Sequence, residues 1–179
     1  MLRRFLEPDA SSVAATSLYQ MLVARARAPV FHTKFAVPDT IDGRFDLLAL
    51  HASVLMEALK LSGTEGAKLG SALASVIFAG FDGALRELGV GDLGISRRMK
   101  AMAGAFYGRL QVYGAADSQA ALAAAILRNL YRGEESRGDE AQVLAHYIAK
   151  ARQTQMTQPR ALLQGVCDFG PLPEFEVTS

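Results

Sequence analysis

The chain has 179 residues, half of them apolar and 21% charged, with a formal net charge of +1. That is enough apolar material for a single sizeable core, and it excludes wholesale disorder. The near-neutral balance argues against a protein whose main task is coating nucleic acid, and no specific DNA binding is expected.

Residues 1–10, MLRRFLEPDA, read as an N-terminal arm. The arm lacks the apolar segment of a secretory signal, and Glu7 and Asp9 make it acidic too early for a transit peptide. This favours the bacterial cytoplasm, with a peripheral position at the inner membrane left open. Leu2, Phe5 and Leu6 beside Arg3 and Arg4 fit either a frayed end or a touch on an anionic membrane surface. The most apolar run, Leu69 to Phe81, falls short of the ~20 residues a membrane span needs.

Residues 11–156 read as one all-α domain, a bundle of about six or seven helices. The first helix is expected from Ser11 to Arg27, capped by Ser11 or Ser12 and ended by Pro29. Val30 to Val37 reads as a connector. Asp39 or Asp42 is a natural cap for the next helix, which runs to about Leu61. This helix carries two apolar stripes, Phe45, Leu48, Ala52, Leu55 and Leu59, and Leu47, Leu50, Val54 and Leu61. Only Asp46, Ser53, Glu57 and Lys60 form a polar strip, so the helix should be central. Thr64 is the expected cap of the helix that follows.

That helix and its successor form a pair broken at Gly89. Leu73, Val76, Ile77, Gly80, Phe81, Ala84, Leu85 and Leu88 face inward on the first. Ile95, Met99, Met102, Phe106, Leu110 and Tyr113 do so on the second. The outer stripe of the first is Ser71, Ser75, Phe78, Asp82 and Arg86. Phe78 is then either an apolar point on a polar surface or a residue covered by another helix. Arg97, Arg98 and Lys100 oppose the dipole of the second helix near its start. Either they are solvated or internally paired, or an anionic partner such as lipid or RNA meets them. An alanine-rich helix, capped by Asp117 or Ser118, follows from Ala120 to Tyr131, and a last one from Asp139 to about Met156. Residues 157–179 read as an irregular tail whose Val166, Phe169, Leu172 and Phe175 pin it to the body or cover a groove.

No convergent set of reactive groups is legible. The single cysteine, Cys167, allows no intrachain disulfide, and His32, His51 and His146 lack ligand spacing. His51 fits a hydrogen-bonded structural role. No cofactor, metal or catalytic residue is expected.

Several ordered blocks carry a family resemblance. They are YQMLVARAR (Tyr19 to Arg27), VPDTIDGRFDLLALH (Val37 to His51), LRELGVGD (Leu85 to Asp92), RMKAM (Arg98 to Met102), AFYGR (Ala105 to Arg109) and LRNLY (Leu127 to Tyr131). Together they resemble the ubiquinol–cytochrome c chaperone family, assembly factors of respiratory complex III. The resemblance implies a non-enzymatic protein that binds newly made cytochrome b or a similar apolar membrane client. The mitochondrial members do so with a partner chaperone near the ribosome. This chain differs in its very short N-terminal extension, and an anionic membrane surface, a ribosome and a second chaperone are left open as partners.

The candidate client-binding residues are Phe78, Asp82, Arg86, Arg97, Arg98, Lys100, Met99 and Met102, the methionines for their adaptability, as with Met21 and Met56. Asp39, Asp42, Arg44, Glu87, Asp92 and Arg109 are expected to brace helix ends or to form a contact patch. The rival readings are a membrane-surface or RNA-binding adaptor with a basic patch, and a haem- or small-molecule-handling protein. Oligomeric state is not legible.

Overall fold

The structure is a computed structural model that describes residues 10–175. The described residues form six long helices and two short ones: α1 (Ala10–Ala26), α2 (Val30–Thr33), α3 (Ile41–Leu61), α4 (Gly63–Glu87), α5 (Asp92–Gly114), α6 (Gln119–Leu130), α7 (Gly138–Thr157) and α8 (Pro159–Leu163). A 3-10 turn at Glu135–Arg137 precedes α7. The all-α reading holds. The arm at 1–9 lies outside the described residues.

α3 is the hub, packed against α1, α4, α5, α6, α7 and α8. Both of its apolar stripes are buried except for Leu61, which the end of the helix leaves exposed. The surprise is the polar strip. Asp46 and Ser53 are buried as well, because α5 covers the side that their polarity assigned to water. Ser53 is satisfied within its own helix, its hydroxyl donating to the Leu50 carbonyl at 2.7 Å.

Several helix ends differ from expectation. α1 already includes Ser11 and Ser12, so neither caps it, and the Ser12 carbonyl accepts from Thr16 Oγ1 instead. Thr40, between the two acids proposed for the role, caps α3 by accepting from the Gly43 amide at 3.2 Å. Thr64 lies inside α4, whose N-cap position is Ser62. The supposed connector after Pro29 contains α2, and its Phe31 and Phe35 are both fully buried. Gly89 ends α4 with φ +74°, as expected of a residue without a Cβ penalty there. α5 then starts at Asp92, three residues before its first core residue Ile95. Ser118 caps α6 through the Ala121 amide.

α4 is 25 residues long and has a window of mean hydropathy 1.3, enough in length and composition to span a bilayer. The uninterrupted apolar run understated this, because an 18-residue window reaches past the ends of the run and still stays apolar on average. In this fold α4 packs against α1, α3 and α5 and buries Leu69, Leu73, Ile77 and Leu85.

The segment after α7 belongs to the core. Cys167 and Phe169 are buried, whereas Val166 and Leu172 face outward. Phe169 meets the edge of His51 at 5.4 Å between ring centroids, and Phe175 packs on Phe35 at 5.4 Å. Arg25 donates to the Gly170 carbonyl at 2.7 Å, and Ser17 donates to Gly165 at 2.8 Å.

Candidate functional site

Where the ends of α3 and α4 meet α1 and α5, the helices leave a groove of about 440 Å³. Its floor is apolar, built from Val23, Leu48, Phe45, Phe81 and Met102, with Ala84 and Leu88 on one wall. Arg27, Arg44 and Glu87 stand at its edge. A second cleft of about 380 Å³ shares Ile41 and Met102 with it and adds Asp42, Leu85 and Arg98. Ile41 is 43% exposed and Leu88 57%, so the apolar lining reaches the surface. Gly80 is what lets α1 close the far side. A Cβ there would collide with the Tyr19 hydroxyl.

The groove floor rests on a buried charge cluster. Asp46, 1% exposed, lies 2.6 Å from Arg109 of α5 and 2.7 Å from Arg132 after α6. Arg109 also stacks over the Phe45 ring at 5.0 Å, and Phe45 meets Phe81 at 5.3 Å. Burial raises the Asp46 carboxyl above its ordinary value, and the two guanidiniums pull it back only in part. Arg132 is held in the left-handed backbone region at φ +57° and also donates to the Asn129 carbonyl. Backbone strain of this kind is kept where surrounding contacts over-determine it. Tyr113, fully buried nearby, has its hydroxyl pushed upward, first by burial and then by the Asp46 charge.

Of the residues singled out from sequence, some come together here and others do not. Met102, Arg44 and Glu87 line the groove, and Asp42 and Arg98 line the adjoining cleft. Arg109 braces the floor from behind. Phe78 is half-buried beneath α5, 5.5 Å from Phe106 and 5.9 Å from Tyr107, so another helix covers part of it. Asp82 and Asp92 both engage Arg86, at 2.6 and 3.0 Å, in an exposed ladder that ties α4 to the start of α5. Arg44 pairs with Asp39 at 2.6 Å, and this partner together with His32 holds the Asp39 carboxyl below its usual range. Arg97, Arg98 and Lys100 are exposed, and among the described residues no carboxylate lies within 4.0 Å of them. Met99 is partly buried. Met21 and Met56 line two other clefts, so the methionines do not share a face.

His51 is structural, as its position implied. Its Nδ1 lies 2.8 Å from the Leu47 carbonyl and must donate to it, which leaves Nε2 to accept from the Tyr147 hydroxyl at 3.0 Å. Burial lowers its pKa to about 4. Burial likewise pushes the Cys167 thiol up to about 12, which makes it a poor nucleophile.

The sequence reading missed the pairing of Asp46 with Arg132. A signal was present: a helix with apolar stripes on two sides needs neighbours that also shade the strip between them. An acid in that strip then requires basic partners. Glu57, in the same strip, obeys the same logic, 3.1 Å from Arg152 of α7.

The described residues thus form an all-helical scaffold with a solvent-open apolar groove and charges at its edge. The sequence model of the ubiquinol–cytochrome C chaperone family matches residues 33–169. The chain belongs to that family. It is 24% identical over 171 residues to the ubiquinol-cytochrome-c reductase complex assembly factor 1 of Xenopus laevis, covering 93% of this chain and 86% of the relative. The crystal structure of the Cbp3 homolog from Brucella abortus superposes with a TM-score of 0.81 at 34% identity, covering 90% of this chain and 91% of that one.

Proposed function

We propose that this chain is a non-catalytic assembly factor that binds cytochrome b, or a similarly apolar membrane client, during biogenesis of ubiquinol–cytochrome c reductase. The observation that carries the reading is the groove at the α1–α3–α4–α5 junction. An unassembled membrane subunit presents apolar helix surface before its own partners arrive. An open apolar floor can shield such a surface, and the release step needs no chemistry because nothing covalent has formed. Family membership and the Xenopus relative, an assembly factor of the ubiquinol-cytochrome-c reductase complex, support the choice of complex. We place the work at the cytoplasmic face of a bacterial inner membrane, where such a client is inserted.

The Arg44–Asp39 pair, Glu87 and Arg98 around the opening would give orientation more than affinity, since exposed charges are well screened. The test is deletion of the gene, with cytochrome b content and complex III activity measured and other haem proteins as controls. The expected result is a selective loss of cytochrome b that the wild-type gene restores. Unchanged cytochrome b would remove the reading.

A further inference from the structure

The corner between α4 and α5 exposes what a folded protein normally hides. Leu93, in the first turn of α5, is 91% exposed, and Leu88, just before Gly89, is 57% exposed. Leu93 gains almost no packing from the fold, and Leu88 is covered only in part, on the groove side. Behind Leu93 on the same helix face come Arg97 and Lys100, at steps of four and three, both exposed. Arg98 stands beside them on the cleft side. None of the three has a carboxylate within 4.0 Å among the described residues. Two of the three acids of this corner are paired. Asp82 and Asp92 are both turned onto Arg86, and Glu87 lines the groove. The corner therefore projects leucines at its tip and a ring of uncompensated cations about one to two turns behind.

We propose that this corner docks the chain on an anionic lipid bilayer. Leu88 and Leu93 enter the acyl boundary, and Arg97, Arg98 and Lys100 meet the lipid phosphates. The spacing fits. With a rise of about 1.5 Å per residue, Arg97 and Lys100 stand about 6 and 10 Å behind Leu93 along the helix, comparable to the depth of a headgroup layer. The chemistry separates lipid from RNA. Single-stranded nucleic acid is held by aromatic stacking platforms beside cations, and residues 86–101 contain no aromatic side chain; the exposed aromatic of α5, Tyr107, lies about two turns beyond Lys100 and packs on Phe78 and Phe106. Exposed aliphatic side chains beside cations suit an anionic bilayer surface. Leu88 and Arg98 also line the groove and its adjoining cleft, so a docked bilayer lies at the groove mouth. That last use, receiving a client directly from the membrane, rests on the function proposed above. The lipid contact itself does not.

The chain contains no tryptophan, so Leu93→Trp gives a single reporter at the tip. Purified full-length protein is mixed with vesicles of phosphatidylglycerol and phosphatidylcholine, or of phosphatidylcholine alone. The expected result is cosedimentation with the anionic vesicles only, weakened by salt. The Leu93→Trp emission should shift to the blue and be quenched by brominated acyl chains. The triple variant R97Q/R98Q/K100Q should lose about 100-fold in vesicle affinity. Its melting temperature should stay unchanged, since all three side chains are exposed. Absence of vesicle binding, binding without an emission shift, binding indifferent to the triple substitution, or capture of single-stranded RNA in preference to vesicles would each overturn the proposal. Vesicle binding is read on purified protein with no client present, whereas the deletion test is read on cytochrome b in cells. A failure of the client reading therefore leaves the lipid result standing, and a failure of docking leaves the deletion test untouched.

Discussion

Arg109 reaches from α5 to α3 and sets its guanidinium 2.6 Å from the buried Asp46 carboxylate while lying over the Phe45 ring. One side chain thus joins a core charge to the floor of the groove. Removing Asp46 leaves the Arg109 guanidinium without its carboxylate, and removing Arg109 leaves the buried Asp46 with Arg132 alone. Asp46→Ala and Arg109→Leu should each cost about 3–5 kcal/mol in urea unfolding. The double variant should cost clearly less than the sum, because the orphaned charge is gone. Arg132→Ala should cost less than either, since the Arg132 side chain is 56% exposed and its loss also leaves Arg109 in place.

His51 makes stability depend on pH. Its folded pKa of about 4 lies below the ordinary 6.5, so the unfolded chain binds the extra proton more readily. The contribution is complete above pH 6.5 and is lost as pH falls toward 4. A shift of this size corresponds to on the order of 3 kcal/mol. Melting temperature measured across that window should fall with acidity in the wild type. In His51→Gln the slope should be reduced, at the cost of a lower starting stability.

Gly165 is where the C-terminal segment crosses α1, and a Cβ there would press on the Ala14 backbone at 2.8 Å. Its φ of +81° adds a conformational penalty for any other residue. Gly165→Ala should cost about 1–3 kcal/mol and loosen the segment that carries Phe169. Limited proteolysis should cut the variant after α8 faster than the wild type.

Phe78 distinguishes packing from client contact. Because it is wedged among Phe81, Phe106 and Tyr107, Phe78→Ala should lower stability by about 2 kcal/mol. Client binding per folded molecule should be retained. Loss of binding at unchanged stability would return Phe78 to the contact surface.

The bundle was legible because its signals are local. Apolar residues at steps of three and four, Gly89 at a helix end and Ser118 at a helix start each act within one or two turns. The misassignments came from longer range. Phe31 and Phe35 looked like connector residues because two phenylalanines between prolines carry no period, and only the neighbouring helices show them as core. Asp46 looked like surface because its arginine partners lie 63 and 86 residues away (109 − 46 and 132 − 46). The groove was legible only as an expectation from family resemblance. Its walls come from four helices, and Tyr19, Phe45, Phe81 and Met102 have no shared sequence signature.

The most direct test of the client reading fills the groove without touching the core. Ala84 is exposed and lines the groove, so Ala84→Trp should block the floor and leave the melting temperature nearly unchanged. The variant is expressed in the deletion strain, and newly made cytochrome b is crosslinked to it and counted against wild type. Groove binding predicts loss of the crosslinked species together with loss of mature cytochrome b. Full crosslinking and full cytochrome b from a folded Ala84→Trp protein would contradict it.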